Sequence, residues 1–521
     1  MKLKRTLAIS LAALSLGGSL AACSAAAVTP KPAASPTPGA VQTNAPAATP
    51  KYVFLFIGDG MSYPQIQSTS DFLGALKDKD YWQAQPSLDD NQGAVLDGPE
   101  YLNFMNFEAA GSAVTYDSNS FAPDSASTAT SISTGHKTYS GSINVDETGS
   151  VAYETIAEQL RDQKDYKIGV ITSVNLNHAT PAAFYAHQAS RSSYYEIGLE
   201  LIDSDFDYFA GGGLLKPTGS KGDQKNLYDL AKTAGYTVAM TNAEAEAVGP
   251  ATDKAILIDE DLADSDALAY ELDRTDDMWS LADYVEKGVE VLDNEKGFFL
   301  MCEGGKIDWA CHANDAASSI HDTKAMADAV QVAIDFAAKH PDETLIVVTG
   351  DHETGGLTIG FAGTDYDTYL DLLENQKISY AKFDSDYVAA YKENKTSFAD
   401  VLKDIETLFG LKAAGEAGDK LVLTDYELEQ LRAAYEKSVN GTAASKYEQE
   451  EYVLYGTYEP LSVTLTHIIN NKAGISFTSY SHTGLPVAVL AQGVGADTFN
   501  GYYDNTQIYV KLAALLGLTA A

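Results

Sequence analysis

Cysteine is nearly absent. The 521-residue chain has three, Cys23, Cys302 and Cys311, too few for a disulfide scaffold. Basic residues are scarce as well: 35 Lys and Arg face 73 Asp and Glu, a formal charge of −38. A general nucleic-acid-binding surface is thereby excluded, because phosphate backbones are met by Lys and Arg. Long apolar runs are missing. None reaches the ~18 residues of a spanning helix except near the N-terminus, where Ser and Gly interrupt it. Hydrophobic residues still make up 45% of the chain, enough for a sizeable core and too many for wholesale disorder. If so acidic a chain handles an anion, it needs local positive charge, and the pattern of acids and histidines places that charge on metals.

The first residues are an address. Lys2, Lys4 and Arg5 precede a Leu- and Ala-rich run over 7–22, which ends Leu20-Ala21-Ala22-Cys23. Small residues before a cysteine resemble a bacterial lipoprotein signal, with cleavage before Cys23 and lipidation of its thiol. The chain is therefore expected to be exported and held at the cell envelope by a lipid anchor alone. Loss of residues 1–22 removes three positive charges and takes the formal charge from −38 to −41. Residues 23–50 hold six of the 16 prolines and read as a semi-extended tether. The folded region is expected over 51–521. Cys302 and Cys311 read as small buried hydrophobes.

From residue 51 the pattern is α/β. Apolar runs at Tyr52–Ile57, Lys167–Thr172, Gly297–Met301, Thr344–Thr349 and Pro486–Ala491 predict buried strands. Helical periods occupy Tyr153–Arg161, Leu281–Leu292, Ala316–Ala338 and Thr506–Leu516. Such alternation predicts a three-layer sandwich: a large, mostly parallel central sheet with helices on both faces. Residues 259–277 carry nine acids and one Arg. Their spacing fits no EF-hand, so a solvated acidic loop is expected in preference to a calcium site. An inserted region at about 363–474 interrupts the sheet pattern and holds 11 of the 31 tyrosines. Helices are expected there near 397–409 and 425–438, the second capped by Thr424 with Glu427 three residues on. This insertion either caps the site or builds a dimer surface.

Carboxylates recur at the C-terminal ends of predicted strands: Asp59, Glu303, and Asp351 with His352 beside it. Sites in open α/β sheets form beyond those ends, and three converging acids repel one another unless cations lie between them. Asp308 and His312 stand four apart, on one face of a helix. With His482 they make a two-His, one-carboxylate set that leaves a metal position open. The nucleophile candidate is Ser125, in Asp124-Ser125-Ala126-Ser127, where a helix N-terminus favours a bound anion. Gly-x-Ser-x-Gly is absent, so this serine needs another activator, and a metal supplies one.

These pieces together resemble the bacterial alkaline phosphatases. The matching stretches are FIGDGMS at 56–62, DSASTATSISTGHKTY at 124–139, HATPAAFYAH at 178–187 with Arg191, FAGGG at 209–213, GFFLMCEGGKIDWACHAND at 297–315, VTGDHETGG at 348–356 and SHTG at 481–484. The resemblance implies two zinc ions and one magnesium. Asp308, His312 and His482 would hold the first zinc. Asp59, Asp351, His352 and the Ser125 oxygen would hold the second, and Asp59, Thr180 and Glu303 the magnesium. Arg191 would clamp two phosphate oxygens. Ser125 would attack phosphorus to give a phosphoserine, which water then hydrolyses. Small phosphomonoesters are the implied substrates and a homodimer the implied assembly. Behind the ligands would stand Asp124, His178 and Trp309. His178 and Trp309 replace an Asp and a Lys of one branch of the family, and Trp309 brings no positive charge. Phosphate is therefore expected to bind less tightly and leave faster. Two alternatives compete: a phosphodiesterase of the same superfamily, and a lipid-anchored phosphate-binding protein without turnover.

Overall fold

The computed structural model describes residues 49–77, 96–441 and 449–519. The expected signal peptide, its lipidated Cys23 and nearly all of the tether lie outside the described residues. The described strands are β1 Tyr52–Gly58, β2 Ala109–Val114, β3 Lys167–Asn175, β4 Tyr208–Gly212, β5 Thr237–Ala239, β6 Ala255–Ile258, β7 Phe298–Gly304, β8 Thr344–Gly350, β9 Glu353–Thr354, β10 Thr358–Ile359, β11 Ile475–Ser476, β12 His482–Thr483, β13 Val487–Gly493 and β14 Gly501–Asp504. Ten of them form one sheet, in the order β14-β2-β13-β8-β1-β7-β3-β4-β6-β5. Only β13 runs against the rest, antiparallel to both β2 and β8. All seven residues of β1, β7 and β8 are buried. That follows from their continuous apolar sequences, which suit strands covered on both faces.

One core layer joins Val53, Leu55 and Ile57 of β1 to Ile132, Leu160 and Leu512 of helices on one side. The other joins Tyr52, Phe54 and Phe56 to Val285, Met326 and Val330 on the opposite side. Alternate residues of one strand thus feed the two layers, and the expected three-layer α/β sandwich is observed. Helices Leu281–Leu292 and Thr506–Leu516 coincide with their sequence periods. The helix expected from Tyr153 begins only at Ile156. Thr155 caps it: its hydroxyl accepts the Glu158 N–H while Glu158 accepts the Thr155 N–H, which stops the helix from extending backwards. Both cysteines are buried thiols.

The described residues of 363–474 contribute no strand to the ten-stranded sheet. Their helices share a core that includes Phe383, Val401, Phe409 and Leu465, together with Phe72 and Ile320 of helices Tyr63–Lys77 and Ala316–Ala337. Helices Phe398–Phe409 and Asp425–Tyr435 lie where expected, and the Thr424–Glu427 box is present. Five of the nine acids at 259–277, Glu260, Asp261, Asp266, Asp276 and Asp277, are exposed, and the other four find protein partners. Asp264 pairs with Lys306, Glu271 with Arg274, Asp259 accepts from Tyr284, and Asp273 accepts from Ser379. Two of these acids are thus paired with cations and two with hydroxyls. Among the described residues no helix is long and apolar enough to cross a membrane.

Candidate active site

Strands β7, β1 and β8 are neighbours, and their register aligns Gly58 with both Gly304 and Gly350. Asp59 and Asp351 each follow directly after an aligned glycine, and Glu303 sits one residue before one. The three carboxylates therefore emerge at one edge of the sheet, fully buried. Asp351 is oriented through Oδ1 by the N–H groups of Gly60 (3.2 Å) and His352 (2.9 Å), and through Oδ2 by the Thr128 hydroxyl (3.2 Å). Glu303 Oε2 accepts from the Thr172 hydroxyl. Both oxygens of Asp59, Glu303 Oε1, Thr180 Oγ1 and His178 Nδ1 are buried and make no hydrogen bond. Natural interiors rarely leave such atoms unsatisfied. Asp59, Glu303 and His178 bring ligand atoms within 4.8 Å of one another, so these atoms suit a shared cation.

Helix Lys306–His312 presents Asp308 and His312 side by side, with His312 Nε2 at 3.4 Å from Asp308 Oδ2. The two-residue ribbon of β12 on β9 pairs His482 with Thr354, which lays the His482 ring on that of His352 at 3.7 Å. His312 Nδ1 faces the Tyr480 carbonyl at 2.6 Å, and His482 Nδ1 faces the Pro123 carbonyl at 2.5 Å. A carbonyl only accepts, so both Nδ1 atoms carry protons. Their Nε2 atoms then face each other at 3.1 Å, a distance at which two lone pairs need a proton or a cation between them. Carbonyl-anchored imidazoles of this kind are typical of metal ligands. Ligand atoms of Asp308, His312 and His482 also converge within 4.8 Å, as do those of Asp59, Asp308 and His352.

Ser125 is the first residue of helix Ser125–Thr134, but it is not the cap. Asp124 is, accepting the Ser127 N–H. The serine hydroxyl is thus released from capping; it is 2% exposed and its Oγ lies 3.2 Å from His352 Nε2. His352 Nε2 is also 3.3 Å from Asp59 Oδ1 and 3.4 Å from Asp351 Oδ2. Arg191 Nη1 pairs with Asp124 Oδ2 at 2.9 Å and Nη2 meets His178 Nε2 at 3.3 Å. Thr180 stands in the short turn of helix Ala179–Ala182. Trp309 sets its indole edge-on to the His178 ring at 5.9 Å. Every site residue singled out from the sequence, Cys23 apart, is therefore found in one connected cluster.

Without cations the cluster is electrostatically uphill. Burial, then repulsion from Asp351, Asp308 and Glu303, holds Asp59 well above the usual carboxylate range. Burial pushes Glu303 up to about 8 and Asp351 up to about 7, with neighbouring carboxylates adding to it. Burial also acts on His312 and Asp308, but their mutual attraction outweighs it, raising His312 to about 9 and holding Asp308 well below the normal range. Burial, then Arg191, lowers His178 to about 3, so it stays neutral, with one ring nitrogen able to accept.

The alkaline phosphatase family model matches residues 50–518. The chain belongs to the alkaline phosphatase family. It is 31% identical over 475 residues to alkaline phosphatase 3 of Bacillus subtilis, covering 88% of this chain and 87% of that protein. Its fold is similar to the crystal structure of a cold-active alkaline phosphatase from a psychrophilic Shewanella, with TM-score 0.70, 29% identity and coverage of 89% and 99% of the two chains. It is also similar, at TM-score 0.59 and 25% identity with 91% and 99% coverage, to a variant of the alkaline phosphatase of the Antarctic bacterium TAB5 in which a histidine is replaced by glutamate, with magnesium in its M3 site.

In this member of the family some supporting residues went unread in the sequence. Thr354 Oγ1 donates to Asp308 Oδ1 at 2.5 Å and lies 3.3 Å from His352 Nδ1. Lys306, with no exposed side-chain area, sets its ammonium 4.7 Å from the Trp309 ring and 2.6 Å from Asp264 Oδ1. Thr354 stands inside VTGDHETGG without a chemical signature of its own. Lys306 carried one usable signal, a lone cation in an apolar motif downstream of nine acids.

Proposed function

We propose that the chain hydrolyses small phosphomonoesters in two displacements at Ser125, assisted by two zinc ions and one magnesium. Family membership makes it a phosphomonoesterase. The observation that carries the finer reading is the set of unsatisfied ligand atoms around Asp59, combined with the two imidazole nitrogens facing each other between His312 and His482. Asp308, His312 and His482 would hold one zinc. Asp59, Asp351, His352 and Ser125 Oγ would hold the other, and Asp59, Thr180 and Glu303 the magnesium, with His178 at its border. Nitrogen-containing sets favour zinc, and the all-oxygen set favours magnesium. Such ions supply Lewis acidity at the attacking and leaving oxygens.

The chain's own groups do the rest. Arg191, held by Asp124, directs its planar fork at two phosphate oxygens. Asp124 occupies the cap, so the Ser125 hydroxyl is free to give up its proton and attack phosphorus, displacing the alcohol and forming a phosphoserine. Water attacks that ester from the vacated side, returning the serine and releasing phosphate. The phosphodiesterase and binding-protein readings are the outcomes to test against. The measurement is hydrolysis of p-nitrophenyl phosphate and of its bis-ester by the mature protein with zinc and magnesium, beside Ser125→Ala. Monoester turnover that falls at least ~10³-fold in the variant is expected, by analogy with loss of other catalytic nucleophiles. Preference for the bis-ester, or full activity without Ser125, would overturn the reading. Export, a lipid anchor on Cys23 and a homodimer complete the proposal; the sequence motif supports the first two and the family resemblance the third.

A further inference from the structure

The described residues of 363–474 include none of the site residues named above, yet they bring Tyr380 and Tyr458 beside Trp309. Tyr458 packs with Trp309 against the cluster of Ala310, Ala313, Tyr270 and Tyr380, on and beside the helix that carries Asp308 and His312. The rings continue as a chain. Tyr270 and Tyr380 centroids are 5.8 Å apart, Tyr380 and Tyr458 5.7 Å, and Tyr458 and Tyr480 6.2 Å. Tyr480 is the residue whose carbonyl orients His312. Tyr458 is thus one ring away from the residue that orients His312.

Trp309 is fixed from beneath. The wholly buried Lys306 ammonium lies against its indole and at 3.9 Å from the Tyr270 ring, anchored by Asp264. A desolvated cation on an aromatic face is a strong positioning contact. Trp309, Tyr458, Tyr480 and His312 are all half-buried, so the rim they form is open to solvent. The indole stands one imidazole away from Arg191, through His178. With an imidazole between the indole and Arg191, a ring that meets the indole needs a spacer, such as a sugar, between itself and the phosphate.

We propose that Trp309 and Tyr458 form a leaving-group subsite for a flat aromatic ring carried one sugar away from the phosphate, as in a nucleoside 5′-monophosphate. The subsite rests on the phosphomonoesterase reading and narrows it. Lys306 and Tyr380 are positioning residues that act through these two rings.

The test compares kcat/KM for adenosine 5′-monophosphate and ribose 5-phosphate, which share the same leaving alcohol, on the metal-loaded mature protein. The ratio within one preparation cancels any inactive fraction. Wild type is expected to prefer the nucleotide by about five-fold or more, the lower range of base stacking on one aromatic side chain, with the difference in KM. Tyr458→Leu should bring the ratio toward one, and Tyr458→Phe should keep it. A wild-type ratio near one, or the same ratio in wild type and Tyr458→Leu, overturns the subsite. Hydrolysis of neither substrate by wild type overturns the phosphomonoesterase reading itself, and the subsite with it.

Discussion

Thr354 shows how much one hydroxyl decides in this site. It donates to Asp308 of one proposed ligand set and touches His352 of the other, so it fixes the angle between these two side chains. Outer contacts of this kind typically change metal affinity about 10–100-fold. Thr354→Val is expected to lose affinity in that range in a chelator competition, and Thr354→Ser to retain it; equal affinity in the two variants would remove Thr354 from this role. Trp309 was legible as a missing positive charge, and the structure qualifies that reading by placing the Lys306 ammonium behind the indole. That cation is paired with Asp264, so Trp309→Lys should still lower the inhibition constant of phosphate. An unchanged constant would show that Lys306 already supplies the charge.

Among elements, legibility followed continuity of the apolar pattern. Strands β1, β7 and β8 are runs buried on both faces, and the sequence showed them within one to three residues. Strand β2 is Ala-Ala-Gly-Ser-Ala-Val and β5 has three residues; small side chains and short length leave little β signal. Their place in the sheet is set by packing and by hydrogen bonds to distant strands. The glycine closing β8 has a steric reason. A Cβ on Gly350 would lie 2.0 Å from the Met61 carbonyl oxygen, in the turn after β1. Gly350→Ala must push the two strand ends apart, and overpacking of this kind costs about 1–3 kcal/mol. Asp351 follows directly, so the variant should lose zinc affinity as well as melting temperature. A lowered melting temperature with full affinity would separate the strand end from the site.

At the scale of the whole molecule, charge governs both encounter and stability. A surface at −38 repels anionic substrates over a Debye length of ~30 Å at 0.01 M salt and ~10 Å at 0.1 M. Accordingly kcat/KM for a phosphomonoester should rise between those salt concentrations, and a steady fall would contradict it. Stability of the metal-free protein should run the opposite way from most acid denaturations near neutrality. Glu303 at about 8, Asp351 at about 7 and His312 at about 9 all lie above their unfolded values, near 4 for the acids and 6.5 for the histidine. The folded chain therefore binds more protons than the unfolded one between pH 7 and 9, and its stability increases as pH falls through that window. Melting in a chelator should be higher at pH 7 than at pH 9, and saturating zinc and magnesium should abolish the difference. A chelated protein that melts higher at pH 9 would contradict the electrostatic account of the site.

The sequence by itself determined the chemistry available and the edge of the sheet where it gathers, because strand ends, helix spacing and residue type are local properties. Asp59, Glu303 and Asp351 were legible in that way, as were Asp308 with His312. What only the tertiary structure decided was which atoms face which. His312 and His482 are 170 positions apart, yet their Nε2 atoms face each other at 3.1 Å. Lys306 finds its partner in an acid 42 positions away, and Tyr458 packs from the inserted region onto the same small cluster as Trp309. Such pairings follow from how buried surfaces close on one another, where the cost of an unsatisfied charge or donor selects the partner, and no pattern along the chain records that selection.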